Sequence, residues 1–432
     1  MTVLDRDDIQ GLVLRGYRMP WATFLFYRFD RAAGARTWLA AMIDPVTTAA
    51  EWDTKPAWCA NLALTYPGLG ALGLPADQLG GFPADFQQGM AARSAAQIGD
   101  AADDQPGRWE PEPPFAARGV HAMLMVWAGS RAELDDRLVG FAERVNAAGG
   151  VTLVGSQPAA ALGGGDREHF GFRDGISQPV IVGGGSADSG TEGEPPIAPG
   201  EFLLGHPDEL GHTPTLAPAV LGRNGTYAVY RKLRQDVAGF RAFLAAGDAE
   251  HLAAKLMGRW RSGAPLRQGI GADNTELVAD PRRINDFDYL TDPVGYACPR
   301  GAHVRRARPR DGAVTTRRRR LIRRGMTYGP ALPDGAPHDG IDRGLIGVFL
   351  NANIERQYEF VQRRWLNGAS FDGLSGETDP ITGPADRVFT WQRRPVPRRH
   401  IDLPRFVTVR GGEYFFVPGM TGLQFLSEGG RS

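Results

Sequence analysis

One stretch of the chain constrains everything around it. From Gly183 to Gly200 glycine and proline are so dense, Gly-Gly-Gly-Ser-Ala-Asp-Ser-Gly-Thr-Glu-Gly-Glu-Pro-Pro leading to Gly200, that neither a helix nor a strand continues through it. On each side the same cadence of strand, helix and strand appears twice. Before the break, Trp21 to Phe29 alternates like a half-buried strand, a helical stretch runs from about Ala32 to Ile43, and a short strand follows at Asn61 to Tyr66. Ala122 to Ala128 then reads as an apolar strand. Ser130-Arg-Ala-Glu133 is a capping box, Leu134, Leu138, Phe141 and Val145 mark one helical face, and Gly149-Gly150 stops that helix before a strand at Val151 to Val154.

After the break, a strand at Thr226 to Lys232 feeds a helix from Asp236 to about Ala246 that continues into Leu252 to Trp260. Leu345 to Leu350 is a strand, and Asn353 caps a helix whose Ile354, Tyr358, Val361 and Trp365 share one face. A strand pair, Phe406 to Val409 and Tyr414 to Val417, closes the chain. The pattern predicts an α+β protein: two ferredoxin-like domains with antiparallel sheets and peripheral helices, residues 1–182 and 201–432, joined by a linker at 183–200.

The 432 residues are 42% hydrophobic and 23% charged, enough apolar material for a large core. Lys plus Arg and Asp plus Glu both number 49, so no global field draws the chain to nucleic acid or to a membrane surface. Two cysteines, Cys59 and Cys298, are too few for a disulfide scaffold and suit a reducing compartment. The start, Met1-Thr-Val-Leu-Asp-Arg-Asp-Asp, is acidic where an export signal is basic, and no apolar run approaches the roughly 18 residues a membrane span needs. The expectation is a cytoplasmic protein with no membrane and no nucleic-acid partner.

No P-loop, HExxH or GxSxG pattern is present, and no two of the eight histidines pair at i, i+3 or i+4. Two segments stand out. In Glu168-His-Phe-Gly-Phe-Arg-Asp-Gly-Ile-Ser-Gln-Pro179 a lone acid, Asp174, lies between Gly171 and Gly175, a GxxDG pattern. It reads as a turn with an Asp cap, or as a carboxylate held by tight backbone for acid–base work. The second segment runs from Cys298-Pro-Arg-Gly-Ala-His303 into a region with eleven arginines between Arg300 and Arg324. Such a run is a solvated face or a polyanion patch, although it lacks the aromatic interleaving of a single-strand groove.

Across nearly its whole length the sequence resembles the dye-decolourising (DyP-type) haem peroxidases, in particular the larger subgroup without an export signal. The resemblance is carried by Asp8-Ile-Gln-Gly, Asn61-Leu-Ala-Leu-Thr-Tyr, the GxxDG segment with Glu168-His169-Phe170, Gly258-Arg-Trp-Arg-Ser-Gly-Ala-Pro-Leu266, Gly301-Ala-His303 and Asn351-Ala-Asn-Ile-Glu-Arg-Gln-Tyr-Glu-Phe-Val-Gln362. It implies haem b (iron protoporphyrin IX) in the C-terminal half, with His303 as proximal iron ligand and Asp174 and Arg323 on the distal side. Arg323 is preferred to Arg324 because the family's arginine stands two residues before the segment matching Gly325-Met-Thr-Tyr-Gly329. His169 and Arg305 are implied as propionate partners, while the carboxylate partner of His303 stays open. Hydrogen peroxide and organic electron donors such as dyes and phenols are the implied substrates, and a homo-oligomer is compatible with the sequence. Tyr358 and Trp365 are candidates for an electron relay, but both also lie on the apolar helix face. The rival readings are a haem-binding or iron-handling protein with incidental peroxidase turnover, a polyanion binder using Arg317 to Arg324, and a chlorite-converting haem enzyme, against which the GxxDG segment argues.

Overall fold

A computed structural model of the chain describes residues 3–163, 165–184, 194–245, 247–269 and 271–430. Strands β1 (Trp21–Phe29), β2 (Trp58–Leu64), β3 (Ala122–Ala128) and β4 (Val151–Ala160) precede the Gly/Pro-rich break. Strands β5 (Thr226–Gln235), β6 (Ile322–Arg323), β7 (Met326–Tyr328), β8 (Gly344–Asn351), β9 (Arg387–Trp391), β10 (Arg398–Leu403) and β11 (Val407–Val417) follow it. Nine of them form one sheet in the order β4-β1-β3-β2-β11-β5-β8-β6, with β7 also on β8, while β9 and β10 make a separate hairpin. The order β4-β1-β3-β2 is that of a ferredoxin-like unit, and β11-β5-β8-β6/β7 repeats it, so the expected pair of antiparallel halves is present.

The halves join at β2 and β11, where Phe416 pairs with Leu64. At the far edges Thr327 Oγ1 donates to the Ala160 carbonyl at 2.6 Å, so the sheet curls until β4 and β7 touch. Inside the curl, Phe24 and Phe26 of β1 meet Tyr230 of β5 with ring centroids 5.9 and 5.2 Å apart. On the outer face of the first half lies the helix Ala32–Ile43, whose Trp38 packs on Tyr27 and Phe29 at 5.0 and 5.6 Å. Beside it runs the helix Arg131–Ala148, started by Ser130 Oγ accepting from Glu133 N, as its capping box predicts.

Four local expectations are corrected. β1 is buried on both faces rather than half-buried, because one face points into the curl and the other lies under helices. β2 stops at Leu64 because Thr65 Oγ1 accepts from Gly68 N and starts the helix Tyr66–Leu72. The closing strand pair is one strand, β11, with a register shift between Val409 and Gly411. The helix from Asp236 is two helices, Val237–Leu244 and Ala249–Met257, the second capped by Asp248. Of the expected linker, residues 185–193 lie outside the described residues, and beside them Ile181 and Ile197 form a parallel bridge. Among the described residues no helix is long and apolar enough to cross a membrane.

Candidate active site

The outer face of the second half is not filled as the first is. Between β5, β8 and β11 on one side and a helical layer on the other lies a cavity of 570 Å³, within the range of about 300–1,000 Å³ typical of cofactor and ligand sites. Leu233, Leu345, Phe349, Val407 and Val409 give it an apolar sheet wall, and Val361, Leu366 and Ile381 an apolar helical wall. His303, Asp174 and Arg323, separated by up to 149 positions, all reach this one cavity.

His303 opens the helix His303–Ala307, and its Nδ1 lies 2.9 Å from Oδ2 of Asp379. A carboxylate accepts only, so the ring proton sits on Nδ1 and the Nε2 lone pair is left free. Asp379 is fully buried. Its other oxygen accepts from Ile381 N at 2.9 Å, Thr382 N at 2.8 Å and the Thr382 hydroxyl at 3.1 Å. Burial alone would raise this carboxyl, but the His303 ring and the Thr382 N–H outweigh it and hold it at about 2. Burial pulls His303 the other way, and Asp379 wins there too, so the ring is raised. Asp379 is the carboxylate that sequence reasoning left open. It lies 76 residues from His303, and no local spacing links them.

Asp174 sits on a loop folded by its own side chains. Glu168 accepts from Phe170 N at 2.9 Å, Phe172 N at 2.8 Å and Gln235 Nε2 at 2.6 Å, which anchors the loop to β5. Gly171 and Gly175 have φ of +91° and +71°, the left-handed region that favours glycine, and a Cβ on Gly171 would come within 2.7 Å of Arg261. Although the loop follows β4 in the chain, Phe170 and Phe172 pack into the core of the second half, Phe170 against Phe240 at 4.4 Å. Asp174 Oδ1 accepts from Gly175 N at 2.6 Å, which leaves Oδ2 uncommitted. Arg323, on β6, donates through Nη2 to the Ser177 carbonyl at 2.6 Å, and its N–H donates to Gln178 Oε1 at 3.0 Å. The guanidinium is therefore tied to the loop that carries Asp174. Arg324, just past the end of β6, instead donates to the Leu12 and Val13 carbonyls at 2.8 and 3.3 Å and does not line the cavity.

Two residues implied by the resemblance, His169 and Arg305, are both buried. His169 is buried with Nε2 on the Tyr328 carbonyl at 2.8 Å, and Arg305 donates to the Asp292 and Cys298 carbonyls at 3.0 Å each and to Asp372 at 3.2 Å. Neither is among the residues that line the cavity. Nor is the arginine-rich run a solvated polyanion patch: Arg317 pairs with Glu209, Arg318 with Glu201 and Asp208, and Arg320 with Glu194.

Among the arginines that line the cavity, Arg308, Arg310 and Arg320 converge on the single carboxylate Glu194, and Arg259 and Arg323 also line it. Burial would raise Glu194, but Arg320 and Arg308 hold it at about 2. Burial and mutual repulsion lower Arg320 to about 9. Arg320 Nη2 is buried with no hydrogen-bond acceptor. This wall carries more cation than anion and an unsatisfied donor, the complement of an anionic ligand. Among the described residues no three His, Cys, Asp or Glu side chains gather into a chelating set. A lone histidine with a free Nε2, as at His303, is the kind of protein donor that a porphyrin-held iron requires. The donor set, the apolar walls and the arginine rim fit a haem.

The repeated ferredoxin-like fold thus carries, in its second half, a cavity with the donors and walls that suit a haem. Residues 8–150 match the family model described as the DyP dimeric alpha+beta barrel domain. The chain is similar to a dye-decolorizing peroxidase of Mycena epipterygia, 31% identical over 98% of this chain and 87% of that protein. It also resembles two solved structures of dye-decolorizing peroxidase, both 29% identical with a TM-score of 0.86. One is a variant in complex with cyanide, covering 99% of this chain and 100% of that one. The other is a complex with 2,6-dimethoxyphenol, covering 98% of this chain and 100% of that one. The chain belongs to the dye-decolorizing peroxidase family and is a haem-dependent peroxidase.

Proposed function

We propose that the chain holds haem b in the 570 Å³ cavity and uses hydrogen peroxide to oxidise dyes, phenols and related organic donors, with His303, Asp174 and Arg323 as the working side chains. The observation that carries this is the meeting of His303, already bonded to Asp379, with Asp174 and Arg323 in one cavity, the last two tied together through the Ser177 carbonyl. The complex of a related peroxidase with 2,6-dimethoxyphenol supports a phenolic donor.

With haem bound, His303 Nε2 would hold the iron, and Asp379 would fix the ring orientation and raise the donor strength of that nitrogen. Arg308, Arg310 and Arg320 take the propionates, which supply the acceptor that Arg320 Nη2 lacks. Bound haem supplies the redox-active iron at which peroxide is reduced. Asp174 Oδ2, the oxygen left free by Gly175 N, would accept a proton from hydrogen peroxide and return it to the departing oxygen, a transfer worth about 10²–10⁴-fold in rate. Charge grows on the departing oxygen as the bond breaks. The guanidinium of Arg323, always protonated and held by Ser177, stabilises it without reorganising. Cys59 and Cys298 are both free and buried, in keeping with a reducing, cytoplasmic setting.

The test is an absorption titration of haem-free protein and His303→Ala with haemin. A one-to-one, histidine-type ferric spectrum in the wild type that is lost in the variant is expected. The same adsorbed-haemin spectrum from both proteins would sink the assignment.

A further inference from the structure

The arginines of the run from Arg300 to Arg324 that are discussed above are committed to partners, but a second basic group has none. The hairpin of β9 and β10 stands apart from the main sheet, and Arg393, Arg394, Arg398 and Arg399 around its tip are all exposed. Among the described residues none of the four side chains forms an ion pair or donates a hydrogen bond. The guanidinium carbon of Arg394 lies 5.3 Å from the ring of Tyr296. In a chain of zero net charge this is a concentrated positive surface, with Asp386 and Asp402 near the hairpin base and the buried Glu377 accepting from Thr390 of β9.

The surface is also aromatic. Tyr296 is 43% exposed, and Trp391 is partly exposed at the end of β9. The buried Lys255 bridges the two, its Nζ 5.2 Å over the Trp391 ring and 3.4 Å from the Tyr296 carbonyl. Trp391 lies 4.9 Å from the ring of His251, and His251 lies 5.5 Å from Trp260, which lines the cavity. Exposed aromatic faces set among unpaired guanidiniums bind flat anions, through cation–π and charge-assisted contacts together.

We propose that the β9–β10 hairpin is a docking site for anionic aromatic reducing substrates, such as aromatic sulfonates and carboxylates, held by Arg393, Arg394, Arg398 and Arg399 against Tyr296 and Trp391. The inference rests on the peroxidase reading above. The aromatic stack from Trp391 to the cavity wall is the reason the occupant is a reductant: a donor docked here is two ring contacts from the cavity. Two docked donors each lose one electron, and one peroxide takes both electrons with two protons to give two waters.

The experiment uses the haem-loaded protein and reads binding before turnover. Anthraquinone-2-sulfonate is titrated into the wild type and into the Arg393→Ser/Arg394→Ser/Arg398→Ser/Arg399→Ser variant, at low salt and at about 0.5 M salt. The expected result is a Kd weakened about ten-fold or more by the substitutions and, in the wild type, by salt. An unchanged Kd in the variant, or a wild-type Kd insensitive to salt, overturns the site. In steady state the KM for a sulfonated anthraquinone dye should rise by a similar factor, while that for neutral 2,6-dimethoxyphenol stays the same. An equal rise for both donors overturns the docking role. Absence of turnover with either donor in the wild type would instead count against the peroxidase reading itself. Because all four side chains are exposed and unpaired, their removal leaves the fold intact.

Discussion

The two halves of this chain share a strand order and differ in what lies on the outer face of the sheet. In the first half that layer is solid: Trp38, Leu39 and Met42 of one helix and Leu134 and Phe141 of the other are buried against β1 and its neighbours. In the second half the corresponding space is the 570 Å³ cavity, and the sheet face beneath it carries Arg231 and Gln235 among its apolar residues. A filled layer stabilises by burying apolar area, about 25 cal/mol for each Å². A hollow one forgoes that, and its polar walls must be satisfied by one another. Arg231 accordingly makes a two-point pair with Asp100 at 2.7 and 3.0 Å, and Glu168 accepts three hydrogen bonds. The duplication thus separates labour, one half supplying a packed platform and the other a site.

The sharpest way to probe that division is through chemistry confined to the hollow half. Asp174→Asn keeps the hydrogen bond from Gly175 N but removes the proton carrier, so peroxide activation should slow by about 10²–10⁴-fold with haem retained and melting unchanged. Stopped-flow mixing with peroxide measures it, and an unchanged rate would remove Asp174 from the mechanism. The complementary break lies in the filled half. Trp38→Ala should cost about 3–5 kcal/mol of stability, because it deletes a fully buried ring stacked on Tyr27 and Phe29. Activity per bound haem should be untouched. A fall in both would show that the platform and the site are not separable.

The sequence made the filled half far more legible than the hollow one. Apolar periodicity marks Ala32–Ile43 to the residue and the helix from Ser130 to its glycine stop, because those side chains face a continuous core. Single site residues stood out where local chemistry is unusual, as with Asp174 between two glycines of positive φ. Asp379 was invisible, since its pairing with His303 is made by tertiary packing across 76 residues. His169 and Arg305 were carried over by resemblance; each has a hydrogen bond to a loop carbonyl, and no spacing along the chain distinguishes holding a loop from holding a ligand. The arginine run misled for a related reason: the glutamates and aspartates that neutralise it come from the 194–209 segment, more than a hundred residues earlier.

Acid should open the hollow half first. Glu194 holds at about 2 in the folded chain against about 4.3 when unfolded, a depressed value, so its contribution is complete above about pH 4.3 and is lost as pH falls towards 2. The difference corresponds to about 3 kcal/mol. Hydrogen exchange across that window should rise in β5 and β8 before β1 and β3, and Glu194→Gln should flatten the dependence. Simultaneous opening of both halves would contradict it. The filled half contains no comparable ring of arginines on one carboxylate among the described residues.

The smallest effect concerns Asp379, and it distinguishes a structural from an electronic role. Asn in its place can still accept from the His303 Nδ1–H, so haem should bind, but the full negative charge behind the ring is gone. Less charge makes Nε2 a weaker donor, and a weaker donor stabilises the more oxidised iron less. The ferric/ferrous midpoint of Asp379→Asn should therefore move to more positive potential, with peroxide activation down by about 10–100-fold, the usual cost of removing a ligand's outer partner. Spectroelectrochemical titration reads the potential independently of turnover. If turnover falls while the potential holds, Asp379 only aims the ring. The three hydrogen bonds on its other oxygen, from Ile381 and Thr382, would then account for its burial.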